Sequence, residues 1–471
     1  MEVVKEPENP LESCLRLLKG KKDEQKIAGL LLASKHLKPS TDKSSPSKQD
    51  EETAITLFHA VGLPFLEKLI RSPVDGDYAS SYCAVGLAFV KNFCDYPSLQ
   101  KDIVQLIVPM LQQLKGAQND VLRRDILIIL FSLSTNTQLL PFLCNIAVLN
   151  TLLSHCKTLS GEIASSSSTE EKSAKGTLLS DSITLLNHLV QHASRKTVSL
   201  PLLLSLLQFA CSCPMVFCFS LLPSCSSLLS SLQLPSPSNS LPSPSIFQLL
   251  HWLMVRCFTY KMPSSARANV FEFVWVVIEA TRFQWLGAPL PTTVPEYERS
   301  LSSAKLCMAM INSASIEVRV ELDYLYKEGM QSYNENEVAK DKKGGCYDVA
   351  LRNLFSCLHI VMGMITDVAA SADEENVFSS LDYDTVINIS TAWADTFKYV
   401  KEFVSLGLAL AKTDIYLSHY KTNKDFIMMN TAMEYCSMFI DECVKEFPEE
   451  MDDEQLLEDL VAWHEKISFH L

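Results

Sequence analysis
Leu30–Lys38 reads LLLASKHLK, Leu57–Leu69 reads LFHAVGLPFLEKL and Val85–Leu99 reads VGLAFVKNFCDYPSL. Each is a short apolar helical run closed by a small polar joint, and none reads as a convincing strand. Short helices in succession cannot bury their apolar faces alone. They do so by stacking on their neighbours, which is the pattern of a helical solenoid.

The same spacing continues outward. Ile103, Leu106, Ile107, Met110, Leu111 and Leu114 recur at steps of three and four, the helical period. Pro97 lies just ahead of them, where its missing N–H costs little. Leu122, Ile126, Ile129, Leu130 and Leu133 repeat the pattern, with Asn119 and Asp120 as caps. Val349–Ile365, Val386–Leu410 and Phe426–Phe447 look alike, and the whole chain holds about eighteen to twenty such helices. Many are apolar on more than one face, as a helix sandwiched in a stack requires. The spacing between helix pairs is near the armadillo or HEAT period of about 40–47 residues, without a strict repeat. The reading is an all-α, armadillo/HEAT-like α-solenoid of stacked helix pairs, a single unit over residues 1–471. Polar, Pro/Ser-rich or glycine-broken stretches predict mobile loops at about 39–52, 160–176, 234–245 and 333–345.

Composition bounds the function. Hydrophobic residues make up 47% of the 471 and charged ones 20%, with only 14 glycines. The formal charge of −14 argues against nucleic acid, whose phosphates need a basic face, and against a strong generic pull to anionic membranes. Fifteen cysteines are scattered through apolar helices, which suits small buried hydrophobes in a reducing compartment better than a disulfide framework. The opening MEVVKEPENP has no apolar run, so a cytosolic protein is expected. One stretch competes with that: Leu202–Leu222 carries no charge and is long enough to cross a bilayer. Pro214 at its centre favours two shorter buried helices instead.

Chemistry is sparse. There is no G-x-x-x-x-G-K-[ST], G-x-G-x-x-G or G-x-S-x-G. His188 and His192 stand four apart, but Leu189 occupies the place of a zinc protease's glutamate. Cys211, Cys213, Cys218 and Cys225 have irregular spacing in very apolar sequence, which points to packing rather than a metal knuckle. Ten acidic residues between Asp441 and Asp459 face only Lys445, a solvated run able to attract a basic partner. Lys19, Lys21, Lys22 and Lys26 give the opposite end a basic lean. No catalytic, cofactor-binding or metal residue is assigned, no cofactor is expected, and no single partner contact is singled out. The expected mechanism is binding of proteins along a groove, not catalysis.

The three opening stretches, in their order and wording, resemble the start of the neurochondrin family. Asn9-Pro10-Leu11-Glu12 with Leu15, Leu17 and Leu18 is similar to the family's first helix, and Val216–Pro223 (VFCFSLLP) to an apolar segment of it. In Ser303–Leu322, Ile316-Glu317-Val318-Arg319-Val320 resembles the family's V-E-V-R-hydrophobic core motif. The resemblance covers roughly residues 9–330, and it departs at the opening, where vertebrate members carry adjacent cysteines and this chain has its first at Cys14. It implies an armadillo-like cytosolic scaffold of neuronal projections and dendrites, linked to neurite outgrowth. Partners it implies are calcium/calmodulin-dependent kinase II and receptor cytoplasmic tails. It also places Ile316, Val318 and Val320 in the core, with Glu317 and Arg319 paired to neighbours. A trafficking adaptor of the armadillo type is the rival, weakened by the irregular spacing of Trp252, Trp275, Trp285, Trp393 and Trp463.

Overall fold
A computed structural model describes residues 10–36, 48–72, 79–116, 119–232, 246–335, 344–371, 377–413 and 424–447, with 458, 460 and 461. Among the described residues there are twenty α-helices and no strand. The chain is all-α, of the armadillo/HEAT-like helical-repeat class, and divides into two compact units, Met1–Leu202 and Leu203–Leu471.

The first unit holds α1 (Pro10–Leu18), α2 (Asp23–His36), α3 (Lys48–Val61), α4 (Leu63–Ile70), α5 (Ala79–Phe93), α6 (Pro97–Ile103), α7 (Ile107–Gly116), α8 (Asp120–Ser134), α9 (Leu140–Leu143), α10 (Ile146–Ser165) and α11 (Thr169–Gln191). Two layers are legible in the packing. Helices α2, α5, α8 and α11 lean on one another in sequence, as do α4, α7 and α10, and each member of one layer pairs with the next helix of the other. The second helices of successive triplets begin at Leu63, Ile107 and Ile146, close to the armadillo period of about 40–47 residues.

Local chemistry sets the breaks. Gly62 sits at φ 79°, a backbone region a side chain resists. It splits the opening apolar run into α3 and α4, whose axes bend by 69°, and Pro64 takes the first turn of α4. The run after Pro97 is interrupted by a 3-10 turn at Val104–Leu106; Pro109 falls in the first turn of α7, where its missing N–H is harmless. Asn119 caps α8 by accepting the Val121 N–H at 2.9 Å. Phe58, Phe89 and Phe93 fill the space between α3 and α5, with ring centroids 4.3–6.4 Å apart.

The second unit holds α12 (Leu200–Ser212), α13 (Met215–Ser231), α14 (Ile246–Thr259), α15 (Arg267–Thr281), α16 (Glu296–Arg299), α17 (Ser303–Glu335), α18 (Gly344–Ala370), α19 (Tyr383–Ala411) and α20 (Lys424–Glu446). Helices α13, α15, α18 and α20 form one layer, with α14, α17 and α19 in the other. The apolar stretch Leu202–Leu222 is divided at Cys213-Pro214 into α12 and α13, each short of a membrane span. Arg256 of α14 holds the end of α12. It donates to the Ala210 carbonyl at 2.9 Å, the Cys213 carbonyl at 3.0 Å and the Cys211 carbonyl, carbonyls a helix end leaves unpaired. Among the described residues Tyr347–Ala370 is long and apolar enough to cross a bilayer, and 67% of its most apolar window is buried inside the protein.

Three expected loops differ from what is found. Residues 48–52 already belong to α3, whose first turn carries Asp50 and Glu51, charges that favour a helix N-terminus. Most of 160–176 is helical, with only Ser166–Ser168 between α10 and α11. Its charges are spent across helices: Arg123 grips Glu162 through two bonds of 2.8 Å, and Lys175 of α11 reaches Glu162 of α10 at 3.4 Å. Residues 333–335 end α17 and 344–345 begin α18. The expected loop at 234–245 lies outside the described residues.

Candidate functional site
The motif Ile316–Val320 lies on α17 and divides by face. Val318 is fully buried, whereas Ile316 is 59% and Val320 48% exposed, so these two do not belong to the core. A helix turns about 100° per residue, which puts positions two before and two after a core residue about 200° away from it. Glu317 is buried and accepts from Arg267 at 3.1 Å and from Asn353 at 2.9 Å. Arg319 pairs with Asp395 at 3.4 Å and lies 4.9 Å from the Tyr399 ring centroid. Both charged members are thus paired to neighbours, as expected. The motif packs one helix between others.

His188 and His192 stack edge to face at 4.8 Å, and His188 Nε2 lies 3.2 Å from the Ser134 carbonyl. The four cysteines near Pro214 are all buried. Burial pushes the Cys211 and Cys225 thiols well up, which disfavours the thiolate a soft metal needs. No group of His, Cys, Asp or Glu suited to a metal ion occurs among the described residues.

Two open grooves run over the helix layers. In the first unit a groove of about 570 Å³ is lined by Arg124, Leu127, Ile128 and Phe131 of α8, and by Asp181 and Leu185 of α11. Phe131 and Ile128 stand exposed on its wall.

The second unit holds the richer one. Across α15, α18 and α20 lies a groove of about 650 Å³. Trp275, Ile278 and Glu279 reach it from α15 at helical spacing, with Arg282 just past that helix's end, and Phe355, His359, Met362 and Thr366 from α18. Its floor is aromatic and half-buried: Trp275 meets Phe355 edge to face at 5.0 Å and His359 lies 4.1 Å from Phe355, while Tyr435 of α20 lies 5.0 Å from Phe355 in an adjoining recess. His359 Nδ1 donates to the Phe355 carbonyl at 2.9 Å, which leaves Nε2 as an acceptor in the neutral ring. At Gly363 a side chain would come within 3.2 Å of Ile278, so glycine lets α18 lie close on α15. Glu442, Lys445 and Glu446, from the last turn of α20, form one rim. Arg282 forms the other, at φ 52°, an uncommon backbone for a non-glycine residue that concentrates at functional sites. Its guanidinium faces Asp367 at 3.6 Å. Of these groove residues, the sequence flagged Trp275, for its irregular spacing, and the acidic run that holds Glu442, Lys445 and Glu446. The usable signal was the second apolar stripe on α15 and α18.

The Neurochondrin family model matches residues 5–138. A neurochondrin homolog from Drosophila melanogaster is 30% identical over 125 residues, covering 26% of this chain and 16% of that protein. The matched segment therefore spans about a sixth of that relative's length. Among solved structures, the TSC2 N-terminus superposes with a TM-score of 0.40 at 12% identity, over 98% of this chain and 94% of that one. Importin beta gives 0.37 at 12%, over 92% and 60%. A chain from a study of the interaction between cadherin and beta-catenin gives 0.35 at 10%, over 91% and 94%. The resemblance read from the opening helices is borne out over residues 5–138, the stretch that is similar to the Neurochondrin family model.

Proposed function
We propose that this chain is a non-enzymatic cytosolic scaffold that grips other proteins in the grooves of its helix layers, its two units serving as parts of one scaffold. The observation that carries the reading is the aromatic floor of Trp275, Phe355 and His359, half-buried and framed by charge. Rigid aromatic side chains ringed by polar groups are what protein-binding surfaces concentrate. The neurochondrin-like N-terminal segment supports the scaffold role. By that resemblance, calcium/calmodulin-dependent kinase II and receptor cytoplasmic tails are proposed partners, and neuronal projections the proposed site of action.

A photo-crosslinking residue placed at Thr366, in the groove, is compared with one at the exposed Lys398 of α19. The expected result is a discrete protein adduct at Thr366, absent at Lys398, whose purified partner binds the wild-type chain and loses affinity for Phe355→Ala. Identical adduct profiles at the two positions sink the groove as the binding site. Purified kinase and receptor-tail peptides, titrated against the same pair of proteins, test the named partners.

A further inference from the structure
The groove over α15, α18 and α20 has a charge balance that narrows its occupant. Three carboxylates line it, those of Glu279, Glu442 and Glu446. Of its two fixed cations, Arg282 is matched by Asp367 at 3.6 Å, which leaves Lys445 alone against the three. In sequence, the acidic run from Asp441 to Asp459 starts at this rim. Beside the carboxylates the half-buried faces of Trp275 and Phe355 provide negative quadrupoles. The chain uses the same pairing internally: the Arg319 guanidinium lies 4.9 Å from the Tyr399 centroid and the Lys26 ammonium 5.0 Å from that of Phe65.

We propose that the occupant of this groove is a basic segment of a protein partner. It presents an arginine over the Trp275–Phe355 floor, between the carboxylates of Glu279 and Glu442. Arginine is preferred over lysine because its planar guanidinium stacks on a ring while still pairing with a carboxylate, and it sheds water more easily. The proposal rests on the scaffold reading and deepens it by naming the chemistry of the ligand.

The probes are three fluorescent twelve-residue peptides, identical except that three interleaved positions carry arginine, lysine or glutamate. Each is titrated into the full chain by polarisation. The arginine peptide is expected to bind tightest, the lysine peptide more weakly, and the glutamate peptide not at all, with affinity falling as salt rises. Trp275→Leu and the double variant E279Q/E442Q should each weaken the arginine peptide about tenfold. Glu279 and Glu442 are exposed, so the double variant keeps the fold where Trp275→Leu disturbs it. The control D95N/D181N, which removes two carboxylates from the groove of the first unit, should leave binding unchanged. Equal loss in the control means diffuse attraction of a polycation to an acidic protein, and overturns the proposal. An unaffected E279Q/E442Q, or equal binding of the glutamate peptide, also overturns it. If a Thr366 adduct forms but the arginine peptide does not compete with it, the arginine assignment fails alone. If no groove adduct forms at all, the scaffold reading fails with it.

Discussion

His155 of α10 is buried with no hydrogen-bond partner for Nε2, and burial, helped by the Arg123 charge, lowers its pKa to about 4. In the unfolded chain it titrates near 6.5, so between about 6.5 and 4 the unfolded state binds more protons. Stability is then lost as pH falls through that window, by on the order of 3 kcal/mol at its lower end. His155→Leu should flatten this part of the curve of melting temperature against pH and leave the melt at pH 7 no lower; an unchanged slope means His155 is not the titrating group. A second pair of residues separates motif from core. Ile316→Asp should shift stability by about 0.5 kcal/mol or less, because Ile316 is exposed. Val318→Asp places a carboxylate among buried side chains and should cost about 3 kcal/mol or more in a urea titration. The sequence showed that both residues are apolar and helical. It did not show which points inward, because α17 runs between neighbours on several sides and its apolar positions do not form one stripe.

Among elements, the legible features were those with local causes. Pro97 and Pro214 each mark a break where the backbone is left without a donor, and helices start there; the break at Gly62, inside a stretch read as one helical run, shows only in the structure. The serine- and charge-rich run of 160–176 has no such local sign of order. Glu162 is held by Arg123, 39 residues away, a partner no reading of the local window supplies. Serine and charge were therefore read as a solvated loop where they serve as a cap and an ion-pair network. Arg256 is a similar case. Alone in sequence it is one cation in an apolar helix. In the fold it closes the end of α12 and faces the buried Glu298 at 3.5 Å, which also accepts from Trp252 at 2.7 Å. Arg256→Met should cost about 3–5 kcal/mol, because it strands that carboxylate and the α12 carbonyls. The double variant R256M/E298Q should recover part of the loss, as interacting neighbours do. Additive losses in thermal melts would mean the two side chains are not coupled.

At the scale of the molecule, helix-on-helix stacking makes each repeat depend chiefly on the ones beside it. The candidate groove was the least legible feature, since Trp275, Phe355 and Glu442 come together from three helices spread over more than 150 residues, and none belongs to a motif. The stacking predicts how damage spreads. Hydrogen exchange on Val318→Asp should show lost protection in α17 and the helices it touches, α14, α18, α19 and α20, while α4, α5, α7 and α8 keep theirs. Uniform loss across all of them would mark a single cooperative block. Among the described residues fourteen free cysteines, all buried, run from α1 to α20. Burial holds Cys156 and Cys307 up at about 12, so these sulfurs stay silent towards alkylating reagents while their helices remain closed. The chain thus carries its own strain gauges: a brief pulse of iodoacetamide during heating or denaturant titration would tag each thiol as its surroundings open. Once melted in air, the same sulfurs would knit neighbouring chains together and make recovery on cooling depend on added reductant.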